Sequence, residues 1–410
     1  MIPVEQNEML TRVGPGTPAG EMFRWYWLPV GIAAELRVAT QKVRMLGEDL
    51  VLFRDEFGRP GLLALDCSHR STSLEYGRIE GGGIRCPYHG WLYDIKGDCL
   101  DMPGEPKDSK FKDRVKHTAY PCREVGGLVF AYMGPGEPPL LPTFEILVSD
   151  AFTRRASMDW PVHPCNWLQL VENDQDPVHA SVLHNDSSFS QNSLFPTMAT
   201  RIDFEETGAG VMYTAYRPGP EPGTTYVRRV NSLMPGILAF GPGRSPDHRD
   251  DPEFGGSMRW RVPADDATTK MFSVYATPRK YQSDRPAKAS DMGGIFVKRD
   301  IINASLAGKY WVAERNAEGK FILDETWKQD YVAIVSQGAI TDRSREKLGT
   351  SDRGIVQLRK MYLEAIKAVQ EGRDPKGVLR DAAKAPLVRL PRTNQIGRTE
   401  DELMISYAEF

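Results

Sequence analysis

Cys67-Ser68-His69-Arg70 and Cys86-Pro87-Tyr88-His89-Gly90-Trp91 are the two stretches on which the reading of the chain turns. Each pairs one thiol with one imidazole, and sixteen residues separate His69 from Cys86. Both lie in Gly/Pro/Ser-rich loops between apolar runs of strand character. Two such loops can meet around a metal centre. One zinc ion, held tetrahedrally by two sulfurs and two nitrogens, is one solution. A [2Fe–2S] cluster is the other: both cysteines hold one iron, both histidines hold the second, and each loop divides its ligands between the two. Neutral imidazoles in place of thiolates leave such a cluster less negative and easier to reduce. Cys99, Cys122 and Cys165 have no partner spacing and read as free buried thiols.

Working outward, residues 22–142 are short apolar runs broken by turns. Lys42–Arg54 looks like a strand pair, and GLLALD (61–66), GGGIRC (81–86) and GGLVFAYMG (126–134) like further strands. Without a long helical period this is a small all-β unit. A short helix over 5–13 and the breaker run GPGTPAG (14–20) precede it. GPGEPPLLP (134–142), with four prolines in nine residues, marks a boundary. Beyond it, 166–183 is helical with an interruption at Pro177, and 200–280 alternates like an antiparallel sheet. A helix over 324–336 is expected, with Asp324 as N-cap and Gly338 just past its end, and another over 355–369. The fold class is therefore α+β, divided as 1–22 (helix and linker), 23–142 (all-β domain) and 143–410 (sheet with helices).

At 410 residues, 40% apolar and 26% charged, the chain has the make-up of two or three packed domains. A net charge of −3 supplies no cationic face for a phosphate backbone, so nucleic acid is not an expected partner. There is no run of about 18 apolar residues to span a membrane. The opening MIPVEQNEMLTRVG has neither the basic start nor the apolar core of a secretory leader. Five cysteines, an odd number, do not form a disulfide framework, and a reducing cytoplasm is the expected compartment.

A second cluster of ligand types lies in ENDQDPVHASVLH, which contains Asn173, Asp174, Asp176, His179 and His184. Five residues at ~100° each set the two histidines ~140° apart on a regular helix, so both face one metal only if the helix is distorted or ends between them. Taken alone, they could be core or surface histidines. Asp176, three residues before His179, could hydrogen-bond the far ring nitrogen and orient a ligand. Two histidines and a carboxylate on one face of an iron leave positions open for oxygen and substrate.

CSHR with CPYHGW resembles the Rieske motif. Asn173-x-x-Asp176-x-x-His179-x₄-His184 further along is similar to the catalytic α-subunits of Rieske non-heme iron aromatic-ring oxygenases. NEMLTRVGPGTPAGEMFRWYWLPV and QGAITDRSREKLGTSDRGIVQLRK extend the likeness to the phthalate-dioxygenase-type branch, across nearly the whole chain. Asn173 only three residues before Asp176 fits the phthalate-type and O-demethylase members rather than the naphthalene type. The resemblance implies a Rieske [2Fe–2S] domain joined to a helix-grip catalytic domain. Cys67, His69, Cys86 and His89 then hold the cluster, and His179 and His184 hold Fe(II). The third iron ligand falls in a segment similar to QDYVAIVSQG, at Asp330, with Asp324, Glu325 and Asp342 as nearby decoys. Asp176 would carry electrons between His89 of one subunit and His179 of the next in a homotrimer or trimer-of-dimers hexamer, with Asn173 in support. The alternative is that Asp176 only orients His179.

The implied reaction uses O₂ and electrons from a partner reductase, which carries the NAD(P)H and flavin, to hydroxylate a small aromatic substrate in aromatic catabolism. An aromatic carboxylate is expected, and it needs a fixed cation, ideally a bidentate guanidinium. Arg201, Arg217, Arg228, Arg229 and Arg244 lie in the sheet region, and neighbours Arg228 and Arg229 must take opposite faces. Leu233, Met234, Ile237 and Phe240 are apolar lining candidates or ordinary core. The metal ligands are common to cis-dihydroxylation, angular attack and O-demethylation. Rival readings are a Rieske electron carrier without oxygenase activity and a zinc scaffold.

Overall fold

A computed structural model describes the chain except residues 37–39, 159, 186–196, 242–254, 280–296, 386, 392 and 404–410. The N-terminal region folds as three small antiparallel sheets. The first pairs Trp27–Ile32 and Cys122–Val125 to either side of Leu128–Tyr132. The second runs Gln41–Met45, Glu48–Arg54, Pro60–Ala64, Ala119–Tyr120. The third, Arg78–Glu80, Gly83–Arg85, Leu92–Asp94, Cys99–Asp101, suspends the 86–91 loop between its middle strands. Val51, Phe53, Leu63, Leu74, Ile84 and Tyr93 form a core of their own beneath the two Cys/His loops.

The hairpin at 45–48 turns through Leu46 and Gly47, both with positive φ (50° and 78°), as a two-residue turn requires. Leu46 tolerates this conformation because the turn is docked. Its amide donates to the Pro263 carbonyl (3.0 Å), and that of Gly47 to Ala264 (2.8 Å). This tip locks the all-β unit onto the catalytic sheet.

That sheet is antiparallel and has eight strands among the described residues. Its order is Phe152–Ser157, Thr268–Pro278, Gly256–Asp265, Ile237–Phe240, Thr225–Leu233, Gly210–Pro218, Arg201–Glu206, with Asn394–Gly397 also pairing with 225–233. The two faces do different work. Trp260, on one face, packs edge-on to Phe130 of the all-β unit (5.6 Å). Arg261, on the other, pairs with Asp174 at 2.6 Å, and Ser232 donates to Gln175 at 2.6 Å, both under the helix Trp167–Asp174. The helix Arg353–Gln370 packs there too, with Tyr362 against Trp167. No helix among the described residues is long and apolar enough to cross a membrane.

The expected 166–183 helix is two helices, 167–174 and Pro177–Leu183. Asp176 caps the second by accepting from the amides of Val178 (2.8 Å) and His179 (3.3 Å). Asp324 is not an N-cap. The helix Thr326–Val335 starts after Glu325, and Asp324 pairs with Lys328 at 2.7 Å, one helical turn on. Asp342 does sit in a turn, accepting from the Ser344 amide (3.0 Å). Cys99 and Cys165 are buried and Cys122 half-buried, all free.

A buried clamp ties the helix 167–174 to the loop after Thr326–Val335, to the N-terminal helix Val4–Thr11 and to the helix 353–370. Glu172 accepts from Arg343 Nε (2.9 Å) and Arg359 Nε (2.6 Å), and Arg343 Nη1 donates to Asn7 (3.2 Å). Arg359 also pairs with Glu346 at 2.6 Å. Burial pushes the Glu172 carboxyl up, but the two guanidiniums outweigh it and hold it below the usual range. Glu172→Gln leaves both guanidiniums short of charge and is expected to cost about 3–5 kcal/mol, lowering the melting temperature at pH 7. A depressed carboxyl stabilises above its unfolded pKa of about 4.3 and loses that contribution as pH falls through the folded value. Melting temperatures of variant and wild type should therefore converge under strongly acidic conditions.

Candidate metal centres

The two Cys/His loops close on themselves by backbone hydrogen bonds. Cys67 N donates to Thr72 O (3.0 Å) and Ser71 N to Cys67 O (2.9 Å), while Cys86 N donates to Trp91 O (2.8 Å) and Gly90 N to Cys86 O (3.1 Å). Gly90 needs its positive φ of 75°, and a Cβ there would crowd Pro103. The loops meet as the sequence implied. Cys67 and Cys86 are each 2% exposed, with Sγ atoms close enough to interact, and the rings of His69 and His89 lie 4.4 Å apart toward the surface. Thiols inside and imidazoles outside is the division of ligands a [2Fe–2S] cluster with one Cys₂ and one His₂ iron needs. His69 stacks on Trp91 (4.4 Å, 9°), and its buried Nδ1 has no hydrogen-bond partner, as befits a donor atom kept for a metal.

Tyr93 and His117 were not singled out in the sequence. The Tyr93 hydroxyl lies 3.2 Å from Cys67 Sγ, and burial, then Cys67, pushes its pKa up, so it stays protonated as a donor to the sulfur. His117 stacks on Tyr93 (4.6 Å) and bonds Ser68 Oγ (2.7 Å) and the Ala64 carbonyl (2.9 Å), pinning the first loop from behind. Strand alternation beyond Trp91 is the signal that would have turned Tyr93 inward.

The second constellation assembles as well. The helix 177–183 ends before His184, so the two rings escape the ~140° separation of a regular helix. His184 Nε2 lies 3.2 Å and His179 Nε2 3.7 Å from Asp330 Oδ1, and donor atoms of all three lie within 4.8 Å of one another. Asp330 Oδ1 is buried without a hydrogen-bond partner. Burial raises the Asp330 carboxyl, yet His184, His179 and the Asn173 side chain outweigh it and hold it below the usual range. Asn173 thus reaches Asp330. A histidine pair and one anionic oxygen suit a divalent cation that retains exchangeable positions.

Asp176 differs from expectation. Its Oδ2 is 4.0 Å from His179 Nδ1, too far for a hydrogen bond, because the other oxygen is engaged in capping. The orienting contact belongs instead to Gln329, whose Oε1 accepts from His184 Nδ1 at 2.8 Å and leaves Nε2 facing Asp330. Gln329 itself is held by the Leu323 carbonyl (2.9 Å). It precedes Asp330 directly, but nothing in its residue type announced the role.

The expected lining residues scatter. Arg201 is exposed and pairs with Asp203 at 3.0 Å, so it points away from the triad. Leu233 and Met234, with Ile237, line a cavity of about 330 Å³ on the opposite sheet face, against Trp27 and Phe130. A nonpolar docking face needs those side chains there. Arg217 is buried and donates to the Thr197 carbonyl (2.7 Å). Arg228 and Arg229 take opposite faces: Arg229 is buried beside Gln395, and Arg228 lies over Phe240 (5.2 Å), on the face toward the triad. Arg244 lies outside the described residues.

Residues 26–121 match the Rieske [2Fe-2S] domain family and 258–392 the LigXa C-terminal domain like family. The chain is 36% identical to the 5,5'-dehydrodivanillate O-demethylase oxygenase subunit of Sphingobium, over 95% of this chain and 87% of that one. It is 37% identical to the phenoxybenzoate dioxygenase subunit alpha of Ectopseudomonas oleovorans, over 98% and 94%. The chain belongs to the Rieske non-heme iron oxygenases. The phthalate 4,5-dioxygenase oxygenase subunit of Pseudomonas putida is 33% identical over 91% and 88%. Two solved structures share the oxygenase fold. One is the NdmA QL mutant of Pseudomonas putida CBB5 with caffeine (TM-score 0.63, 21% identity, 87% and 94% covered). The other is the terminal oxygenase of carbazole 1,9a-dioxygenase from Novosphingobium (0.59, 22%, 87% and 97%). This oxygenase subunit therefore works with a Rieske cluster and Fe(II), supplied with electrons by a reductase. Tyr93→Phe removes the hydrogen bond to the Cys67 sulfur, the candidate cluster ligand. It should lower the reduction potential, read by voltammetry, while leaving the visible spectrum in place.

Proposed function

We propose that this oxygenase subunit hydroxylates an aromatic carboxylate: one arene, O₂, two electrons and two protons give a cis-dihydrodiol or the angular equivalent. The observation that carries the reading is the His179/His184/Asp330 triad in the same chain as the two Cys/His loops. A carrier of electrons alone has no use for the triad, and a zinc scaffold does not fit the family. The relatives named for phenoxybenzoate and phthalate support an acid as substrate, as does the one named for 3-chlorobenzoate. O-demethylation of a methoxylated aromatic acid is the second reading, favoured by the dehydrodivanillate relative.

Cys67 and Cys86 would hold one iron of the cluster, His69 and His89 the other, and His179, His184 and Asp330 the mononuclear Fe(II). The cluster supplies electrons one at a time, and the Fe(II) supplies the site of oxygen chemistry. The protein's own part is to fix the donor atoms through Gln329 and Asn173 and to keep the triad out of bulk water. We assign residues 1–22 to the N-terminal helix and linker, 23–142 to the Rieske domain and 143–410 to the catalytic domain. The assembly is a homotrimer or a trimer of dimers, in the cytoplasm, served by a flavin- and NAD(P)H-dependent reductase. In it, Asp176 connects His179 to His89 of a neighbouring copy. Its partly exposed carboxylate, with 28% of the side chain open to solvent, supports that role.

Oxygen uptake that depends on an added aromatic acid, with the product identified by mass, tests the reaction. Uptake without any such dependence would defeat it. His179→Ala and Asp330→Ala should each lose mononuclear iron and turnover while keeping the cluster's colour, with iron and sulfide counted separately. Asp176→Asn retains a capping side chain. It should keep both iron contents but fall to less than a tenth of wild-type turnover.

A further inference from the structure

Across five strands of the large sheet, on the face toward the triad, arginines and rings alternate. Arg155 lies 5.2 Å and Arg259 5.8 Å from the Tyr275 ring centroid. Arg259 lies 5.6 Å and Arg228 5.2 Å from that of Phe240. Register produces the ladder. Arg155 stands opposite Tyr275, and both Tyr275 and Phe240 stand opposite Ser257, two residues from Arg259, so each ring reaches Arg259 diagonally. Arg261, two residues along the same strand and therefore on the same face, pairs with Asp174 at the end of the helix just before Asp176. The ladder is thus about 7 Å along the strand from a group anchored beside the metal triad.

Arg259 differs from the other cations on this face. Arg261 has Asp174, Arg217 has the Thr197 carbonyl, and Arg228 donates to Asn394 (3.2 Å). Arg259 is half-buried, its Nε is buried without a partner, and among the described residues its guanidinium has ring faces but no carboxylate. Asp174, within electrostatic reach, is already taken by Arg261. Removing a guanidinium from water without an anion is unfavourable, and two flanking rings hold the fork in a set orientation. A carboxylate restores the missing charge and accepts both prongs, and an attached arene finds aromatic surface beside it.

We infer that Arg259 anchors the carboxylate of the aromatic substrate, with Phe240 and Tyr275 as the walls that orient it. This rests on the oxygenase reading above and goes beyond it by naming the residue that selects acids over neutral arenes. The holoenzyme with its reductase is assayed by oxygen uptake on phthalate, 3-chlorobenzoate and phenoxybenzoate, each against its methyl ester. Arg259→Gln should raise KM for the best acid ~10- to 100-fold, the worth of a charge-assisted hydrogen-bonded pair, and shrink the preference for acid over ester by the same factor. Saturated kcat and the cluster spectrum should stay within about twofold. Arg259→Lys, which keeps the charge but not the fork, should raise the acid KM at least ~fivefold. It decides alone if the glutamine variant does not fold. An acid KM unchanged in either folded variant, or an equal loss for acid and ester, overturns the assignment. A wild-type enzyme with intact cluster and no arene-dependent uptake overturns the oxygenase reading, and the assignment falls with it.

Discussion

Asp330 keeps a negative charge where water barely reaches, and much of the catalytic domain is arranged to make that tolerable. An isolated buried carboxylate would take up a proton. Here two imidazoles and an amide converge on it from a helix end, a helix C-cap and the helix before them. Convergence needs the 167–174 and 326–335 helices to be fixed relative to each other. Gln169 of the first does this, donating to the carbonyls of Ile334 (3.2 Å) and Gly338 (3.0 Å) at the end of the second. The Glu172 clamp then ties the same helix to the N-terminal helix and to Arg359 on the long helix 353–370. Gln169 sets the two ligand-bearing helices against each other, and the clamp braces the first of them against the rest of the domain.

The candidate ligand residues were legible because their chemistry is rare and their spacing is local. Two thiols and two imidazoles in short turns have few uses, and a histidine pair five apart poses a geometric problem that a helix end solves. What lay beyond local spacing was less visible. Gln329 acts through a contact to a residue 145 positions away. The Asp324 cap missed by one residue: Glu325 takes the N-cap position, and Lys328 pairs with both carboxylates, at 2.7 and 2.8 Å.

Leu233 and Met234 could be read as pocket wall or as ordinary core for a different reason. Alternation tells which residues share a face, but an inward face is recognisable only when the other is polar. The 225–233 strand is buried along nearly all its length, since helices cover one face, and the C-terminal segment (at Arg229) and the Rieske domain (at Leu233) cover the other. Leu233 and Met234 are thus as apolar as any substrate wall while serving a domain contact. Arg259, an arginine among apolar neighbours in MRWRV, carried no sign that its charge lacked a carboxylate.

The docked turn at Leu46 and Gly47 bears on how such an enzyme can diversify. It grips the catalytic sheet through main-chain carbonyls, with the Arg44–Asp265 ion pair (3.0 Å) beside it at the end of the strand. Replacements among the front-facing positions leave that grip untouched, because a backbone acceptor is the same whatever residue bears it. Substrate range can therefore drift by exchanging alternate residues along the strands, while the electron-donating module stays seated on an unvarying mount.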